Sequence, residues 1–153
     1  MTTIRGWLVA LSFVLALPLG AEVMGKIVKV LPHHLDNVGR HALSPSPFDR
    51  DAYQFQLRNN PNLVSGVRFD IHWKAKHAKS VALKLRLELL TTTSTKSKPL
   101  VFELPVAAKS GRTRWAKIPV VGQDFEQAGD IIAWRVTLWD GGAQVAEQKS
   151  FLW

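Results

Sequence analysis

The chain has 153 residues, no cysteine and a formal net charge of +8 at pH 7. This length fits one domain with a substantial hydrophobic core. The absence of cysteine excludes disulfides, thiolate metal sites, cysteine nucleophiles and a lipid-modified amino-terminal cysteine.

The positive charge is concentrated in the middle of the chain. Residues 74–117 contain eleven Lys and Arg residues, against Glu88 and Glu103 as acidic ones. Such a segment raises the local electrostatic potential and favours polyanionic partners. The alternative interpretation of the same charge is a solvated face that keeps the protein soluble.

Residues 1–21 have the composition of a secretory signal peptide. An apolar run extends from Trp7 to Leu17, after a basic residue and before small residues that suit cleavage after Ala21. The run is shorter than the about 20 apolar residues that span a bilayer. We therefore expect a single mature domain over residues 22–153, secreted or periplasmic, with no membrane span after cleavage. An uncleaved anchor is the alternative.

The first strand is predicted at Lys26–Leu31, and residues 32–62, which follow it, are rich in proline and asparagine. Because a structureless loop of this length is unusual in a compact domain, part of it is expected to be helical. Ser46 is placed to cap a helix that begins at Pro47 and ends near Arg58. This helix would carry three apolar side chains on one face: Phe48, Ala52 and Phe55.

Strict alternation of apolar and polar residues predicts strands at 66–74 and 81–89. Two further strands are predicted at 100–106 and 113–121, and Gly122–Gly129 is interpreted as a loop. The chain then closes with two β-rich runs that flank a tight-turn signal, Asp140-Gly141-Gly142. The inward positions of the three most regular strands form the predicted core: Phe69, Ile71, Trp73, Leu83, Leu85, Leu87, Trp134, Val136 and Leu138.

Seven strands separated by turn signals predict an all-β fold, an antiparallel β-sandwich with one short helix in the 32–62 segment. We expect that segment to fold back over the sandwich, and Trp139, Phe151 and Trp153 to lie on the outside. In strand count and closing hairpin the chain resembles an immunoglobulin-like or fibronectin type III module. It departs from the immunoglobulin pattern, because it has no cysteine pair and carries Trp73 on the second strand instead of the third.

The candidate metal ligands are His33, His34 and His41, with Asp36 between them. Imidazole and carboxylate groups suit zinc or copper. Their spacing matches no helical ligand pair, so the sequence predicts neither a metal site nor a cofactor. Catalytic signatures are also missing, since the chain has no Gly-x-Ser-x-Gly elbow and no His-Glu-x-x-His motif. Catalysis by groups from distant positions is left open, and a non-catalytic role is favoured.

The predicted binding residues belong to the basic middle of the chain: Lys74, Lys76, Lys79, Lys84, Arg86, Lys96 and Lys98. We expect an exported, non-catalytic domain that binds or assembles with a partner at the cell envelope or outside the cell. An acidic polymer or an acidic protein is the expected partner, and the signal peptide argues against nucleic acid. The alternative is an envelope enzyme or metal-binding protein that uses the His33–His41 segment.

Overall fold

The structure, a computed structural model, describes residues 24–76, 82–107 and 112–153. The signal peptide predicted over residues 1–21 and the predicted binding residue Lys79 lie outside this described part. Within it, no helix is long and apolar enough to cross a membrane. The elements in chain order are β1 (Met24–Asp36), α1 (Pro47–Asn59), β2 (Val64–Lys76), β3 (Ala82–Thr91), β4 (Leu100–Ala107), β5 (Arg114–Val121), α2 (Gln123–Ala128), β6 (Ile131–Asp140) and β7 (Ala143–Lys149).

The strands form two antiparallel sheets that pack face to face. One sheet has three strands in the order β1-β2-β5, and the other has four in the order β4-β3-β6-β7. This arrangement confirms the predicted all-β antiparallel sandwich with its short helix in the 32–62 segment. The immunoglobulin-like or fibronectin type III-like type of the sandwich stays a prediction.

The core lies between the sheets, where the inward side chains of both interdigitate. Eight of the nine predicted core residues are buried, and Trp134 is half-buried against the same cluster. The Trp134 ring and the fully buried Phe69 ring, which belong to different sheets, lie edge to face with their centroids 6.5 Å apart. Period-two alternation therefore identified the inward face of each regular strand correctly, because each strand has one buried and one wet side.

The first strand is longer than the sequence predicts. β1 continues through Asp36, so that His33 and His34 are strand residues and the connection to β2 is shorter than expected. Pro32 lies within β1. The strand tolerates this proline because β1 is an edge strand of its sheet, with β2 as its one partner among the described strands.

Helix α1 begins as predicted, with the Ser46 hydroxyl accepting a hydrogen bond from the backbone of Asp49 at 3.4 Å. It packs against β1 through Gln54, whose side chain bonds both the N–H of His34 at 2.8 Å and its carbonyl at 2.9 Å. Leu57 on the same side is fully buried. The segment thus folds back on the sandwich as expected, at the β1 edge of the three-stranded sheet.

The apolar stripe of α1 does not take part in this packing. Phe48, Ala52 and Phe55 share one face of the helix, but that face points to solvent, with Phe48 88% and Phe55 64% exposed. The inward side of the helix carries a polar residue, Gln54, which satisfies backbone groups that an apolar side chain would leave unpaired. Apolar spacing therefore indicated the helix but not its buried face.

A second difference lies between β5 and β6, where the sequence predicts a loop and the structure has the short helix α2. Its six residues lie between Gly122 and Gly129, which have φ values of 58° and 69°, and no side chain caps it. A helix this short has almost no periodic signal in sequence.

The closing hairpin follows the prediction. Its turn contains Gly141 at a φ of 55°, which glycine accepts without steric cost. Trp139 lies on the outer face, where its indole N–H donates to the Thr137 hydroxyl at 2.8 Å. Phe151 is exposed beyond the end of β7, and the Trp153 ring lies outside the core with the Arg135 guanidinium 4.7 Å from its centroid.

Candidate binding surface

The outer face of the three-stranded sheet brings together basic side chains from distant parts of the chain. In the strand register, Lys26 of β1 lies opposite Lys74 of β2, and Lys29 lies opposite His72. His72 is in turn opposite Trp115 of β5. We call this outer surface the basic face and define it by six residues: Lys26, Lys29, His72, Lys74, Trp115 and Lys117.

Within the described part of the chain, the four lysines of the basic face have no acidic partner. Among the salt bridges of the described residues, none involves Lys26, Lys29, Lys74 or Lys117. Asp70 lies opposite Lys117, but its carboxylate is held by Arg68, with Nε and Nη2 at 2.7 and 2.9 Å. The charges of Arg68 and Asp70 cancel in this bidentate pair. The Asp70 carboxylate therefore does not neutralise the lysines around it.

His72 and Trp115 form a stacked pair in the middle of this face. Their ring centroids are 4.7 Å apart and the rings are nearly parallel, at 10°. Trp115 is 52% exposed. Because β5 is an edge strand, no described strand of the same sheet lies beside the indole on the side away from His72. Trp115 therefore combines one ring face covered by His72 with a half-exposed position at the edge of the sheet.

A pair of histidines lies at one end of the same sheet. His33 is buried, its ring centroid is 5.1 Å from that of His41, and its Nε2 is 3.8 Å from the Asp70 carboxylate. Burial lowers the pKa of His33, although the charge of Asp70 opposes this. Burial and then the charge of Arg68 lower the pKa of His41. Both rings therefore favour the neutral form more than a free histidine does.

The three candidate metal ligands are not brought together. His34 follows His33 in a strand, so its side chain points to the other side of the sheet and lines a cleft at the end of the sandwich. Burial, followed by the charge of Arg58, lowers its pKa. Across residues 24–76, 82–107 and 112–153, no group of three His, Cys, Asp or Glu side chains is arranged to hold a metal ion.

Asp36, the fourth residue considered for that site, has a structural set of partners. Its carboxylate accepts hydrogen bonds from the backbone N–H groups of Val38 and Arg40, from the Arg40 Nε and from the Tyr53 hydroxyl, at 2.7–2.9 Å. Burial raises the pKa of Asp36, but these hydrogen bonds outweigh it and bring the pKa well below its usual range. Asp36 thus joins the end of β1, the loop after it and helix α1.

The outer face of the four-stranded sheet has a different charge balance, and we call it the paired face. The Lys84 amine lies 2.9 Å from Glu103, and Arg86 lies 3.4 Å from Glu88. The Arg135 Nε donates to the buried Glu88 carboxylate at 2.7 Å, and this hydrogen bond raises the pKa of Arg135. Acidic side chains therefore compensate much of the positive charge on this side of the sandwich.

The predicted binding residues are divided between these surfaces. Lys74 and Lys76 belong to β2 of the three-stranded sheet, and Lys84 and Arg86 belong to the paired face. Lys96 and Lys98 lie in the turn between β3 and β4, where Thr95 and Lys98 form an isolated bridge. Sequence proximity suggested one basic segment, whereas β2 and β3 lie in different sheets, so their outward side chains point in opposite directions.

Sequence reasoning missed most of the basic face. Lys26 and Lys29 lie about fifty residues before the basic middle, and Lys117 and Trp115 lie at its far end. The available signal was their outward position in each predicted strand. The pairing register, which places them side by side, is not visible in a single sequence.

An apolar cleft of about 440 Å³ opens at one end of the sandwich, away from the stacked pair. Phe69 and Trp134 line it together with Leu57 of α1. Its charged lining residues have opposite sign, Arg58 and Asp130. The cleft therefore selects neither anions nor cations by charge.

No protein-family model matches the chain, and neither does any curated protein. Among solved structures, a β-glucosidase from Kluyveromyces marxianus aligns with it at 10% sequence identity and a TM-score of 0.37. The alignment covers 85% of this chain and 14% of the β-glucosidase chain. A similarity this low bears on neither fold nor function.

Proposed function

We propose that this protein is an exported, non-catalytic β-sandwich domain that binds an acidic partner at the cell envelope or outside the cell. The basic face is the binding surface. The observation that carries the proposal is the set of four lysines without an acidic partner in the described part of the chain. Of the residues predicted for binding, the proposal keeps Lys74 and its neighbour Lys76.

The arrangement of Lys26 and Lys74 supports an anionic ligand. The two residues lie directly opposite each other on adjacent strands, which are about 5 Å apart. Like charges in directly opposite positions destabilise a sheet. An anion bound between the two amines would relieve that repulsion, so binding would stabilise the sheet as well as the complex.

The contrast with the paired face supports the choice of surface. Lys84 and Arg86 have carboxylates at 2.9 and 3.4 Å, which an incoming anion would have to displace. The basic face needs no such exchange. The positive potential of the basic face therefore attracts a polyanion from solution more strongly than the potential of the paired face does.

Polyaspartate titrated by calorimetry at several salt concentrations tests the proposal. Lys26→Gln combined with Lys74→Gln should weaken binding at low salt and reduce the slope of log Kd against log salt by about one for each lysine removed. The matched control is Lys84→Gln combined with Lys98→Gln, which removes the same charge elsewhere and should change binding little. Equal losses in the two double variants would refute the assignment to the basic face.

Export is the second part of the proposal and has its own test. The apolar run before Ala21 supports cleavage at that position. Intact-mass measurement of the secreted protein should show the loss of residues 1–21. A full-length mass in the membrane fraction would contradict cleavage but leave the binding surface unaffected.

A further inference from the structure

We infer that the acidic partner is a linear acidic polysaccharide, one of whose sugar rings stacks on the face of Trp115 that points away from His72. This inference rests on the proposed binding surface and names its ligand class. The lysines account for attraction to any polyanion, whereas an exposed indole between them adds a requirement for a flat, partly apolar surface in the ligand.

The geometry of the stacked pair suits a sugar ring. The His72 imidazole covers one face of the Trp115 indole, with the ring centroids 4.7 Å apart and the ring planes at 10° to each other. The opposite face looks out over the edge of the sheet, because β5 has a strand partner on one side only among the described strands. The negative face of an aromatic ring attracts the positively polarised C–H groups that cover one side of a pyranose.

The basic character of the surface argues against a folded acidic protein. The centres of protein interfaces are poor in lysine, because burying its strongly hydrated amine is costly. Here lysines surround the exposed aromatic residue, so a close protein interface would bury Lys74 and Lys117 with it. A polysaccharide chain leaves its charged groups and the lysine amines partly hydrated.

The same residues fit single-stranded nucleic acid less well. Proteins that bind single strands use several aromatic side chains, on which successive bases stack. Among the six residues of the basic face, Trp115 is the one tryptophan. Arginine is preferred for phosphate recognition because of its planar fork, but Arg68, on the same side of the sheet as the basic face, is already paired with Asp70.

The test compares three probes by calorimetry at one salt concentration: oligogalacturonate, polyaspartate with an equal number of carboxylates, and oligothymidylate with an equal charge. The wild type should bind oligogalacturonate most tightly. Trp115→Ala should weaken oligogalacturonate binding about tenfold, the scale of aromatic stacking, and leave polyaspartate binding unchanged. Trp115→Phe should retain most of the affinity, because it keeps an aromatic face.

Phe151→Ala is the matched control, since Phe151 is fully exposed after β7, away from the basic face, and should bind like wild type. Equal affinity for oligogalacturonate and polyaspartate, unchanged in both Trp115 variants, would overturn the polysaccharide inference and leave the proposed function intact. Tightest binding of oligothymidylate would overturn it in favour of nucleic acid. Failure to bind any of the three probes would overturn the proposed function itself.

Discussion

Replacement of Asp36 by Asn should destabilise the fold by about 2 kcal/mol. Asn retains one carbonyl oxygen, which can still accept from the backbone N–H groups of Val38 and Arg40. Its amide nitrogen replaces the oxygen that now accepts from Tyr53 at 2.7 Å and from the Arg40 side chain at 2.9 Å, and a nitrogen donor accepts neither. The Tyr53 bond to a charged group contributes about 1.5–3 kcal/mol, whereas the Arg40 side chain is exposed and adds little.

Urea unfolding followed by tryptophan fluorescence measures this difference. The folded-state pKa of Asp36 lies well below its usual range, so its contribution to stability is fully present above pH 4 and disappears as the pH falls through the folded-state value. The gap between wild type and Asp36→Asn should therefore narrow in acid. Asp51→Asn is the control, because Asp51 is an exposed carboxylate that interacts with its neighbour Arg50 on α1.

A double-mutant cycle with Tyr53→Phe separates the pairwise interaction from other effects of each substitution. The coupling energy between Asp36 and Tyr53 should be about 1–2 kcal/mol, since the hydroxyl and the carboxylate are in direct contact. An Asp36→Asn protein that unfolds at the wild-type urea concentration, or a gap that stays constant down to pH 3, would show that the carboxylate does not hold α1 against β1.

Three further substitutions test the local structure. Trp73→Ala should lower the free energy of unfolding by about 3–5 kcal/mol, since the indole is buried between the sheets, and an unchanged melting temperature would contradict that placement. Gly66→Ala should cost about 1–3 kcal/mol, because a Cβ there would lie 2.7 Å from the Val120 carbonyl oxygen, whereas Gly142→Ala, which has open space, should melt like wild type. Because burial lowers the pKa of His33 in the folded state, stability should fall as the pH drops below about 6.5, and His33→Gln should flatten that dependence. An identical pH profile in the variant would exclude His33 as its source.

The strands and the core could be predicted because each regular strand separates a wet face from a buried one. Alternation alone predicts that Trp73, Leu85 and Val136 point inward, and all three are buried. The helix was predicted by the local chemistry of Ser46 and Pro47. These features depend on neighbours in sequence, which the chain displays directly.

The candidate site depends on neighbours in space. Lys26 meets Lys74 through the register of two strands joined by a long connection, and no local pattern specifies that register. Lys74 and Lys84 are ten positions apart, yet the chain crosses between sheets after β2 and directs their side chains away from each other. Clustering of lysines along the sequence therefore overestimates the free positive charge of the paired face and does not reveal the basic face.

The division of strands between the sheets also has a kinetic consequence. Among the described strands, the two short-range pairings both lie in the four-stranded sheet: Asp140 pairs with Ala143 across the closing turn, and Leu89 pairs with Leu100. The three-stranded sheet has none, since its nearest pairing joins Asp36 to Val64. Closing a long loop costs conformational entropy before the contacts that it allows can form, so long-range pairings form slowly. We therefore expect the four-stranded sheet to be formed in the folding transition state. The three-stranded sheet, which carries the basic face, would then be the last part of the sandwich to assemble and the first to open. An anion bound across the basic face would therefore slow unfolding more than it speeds folding.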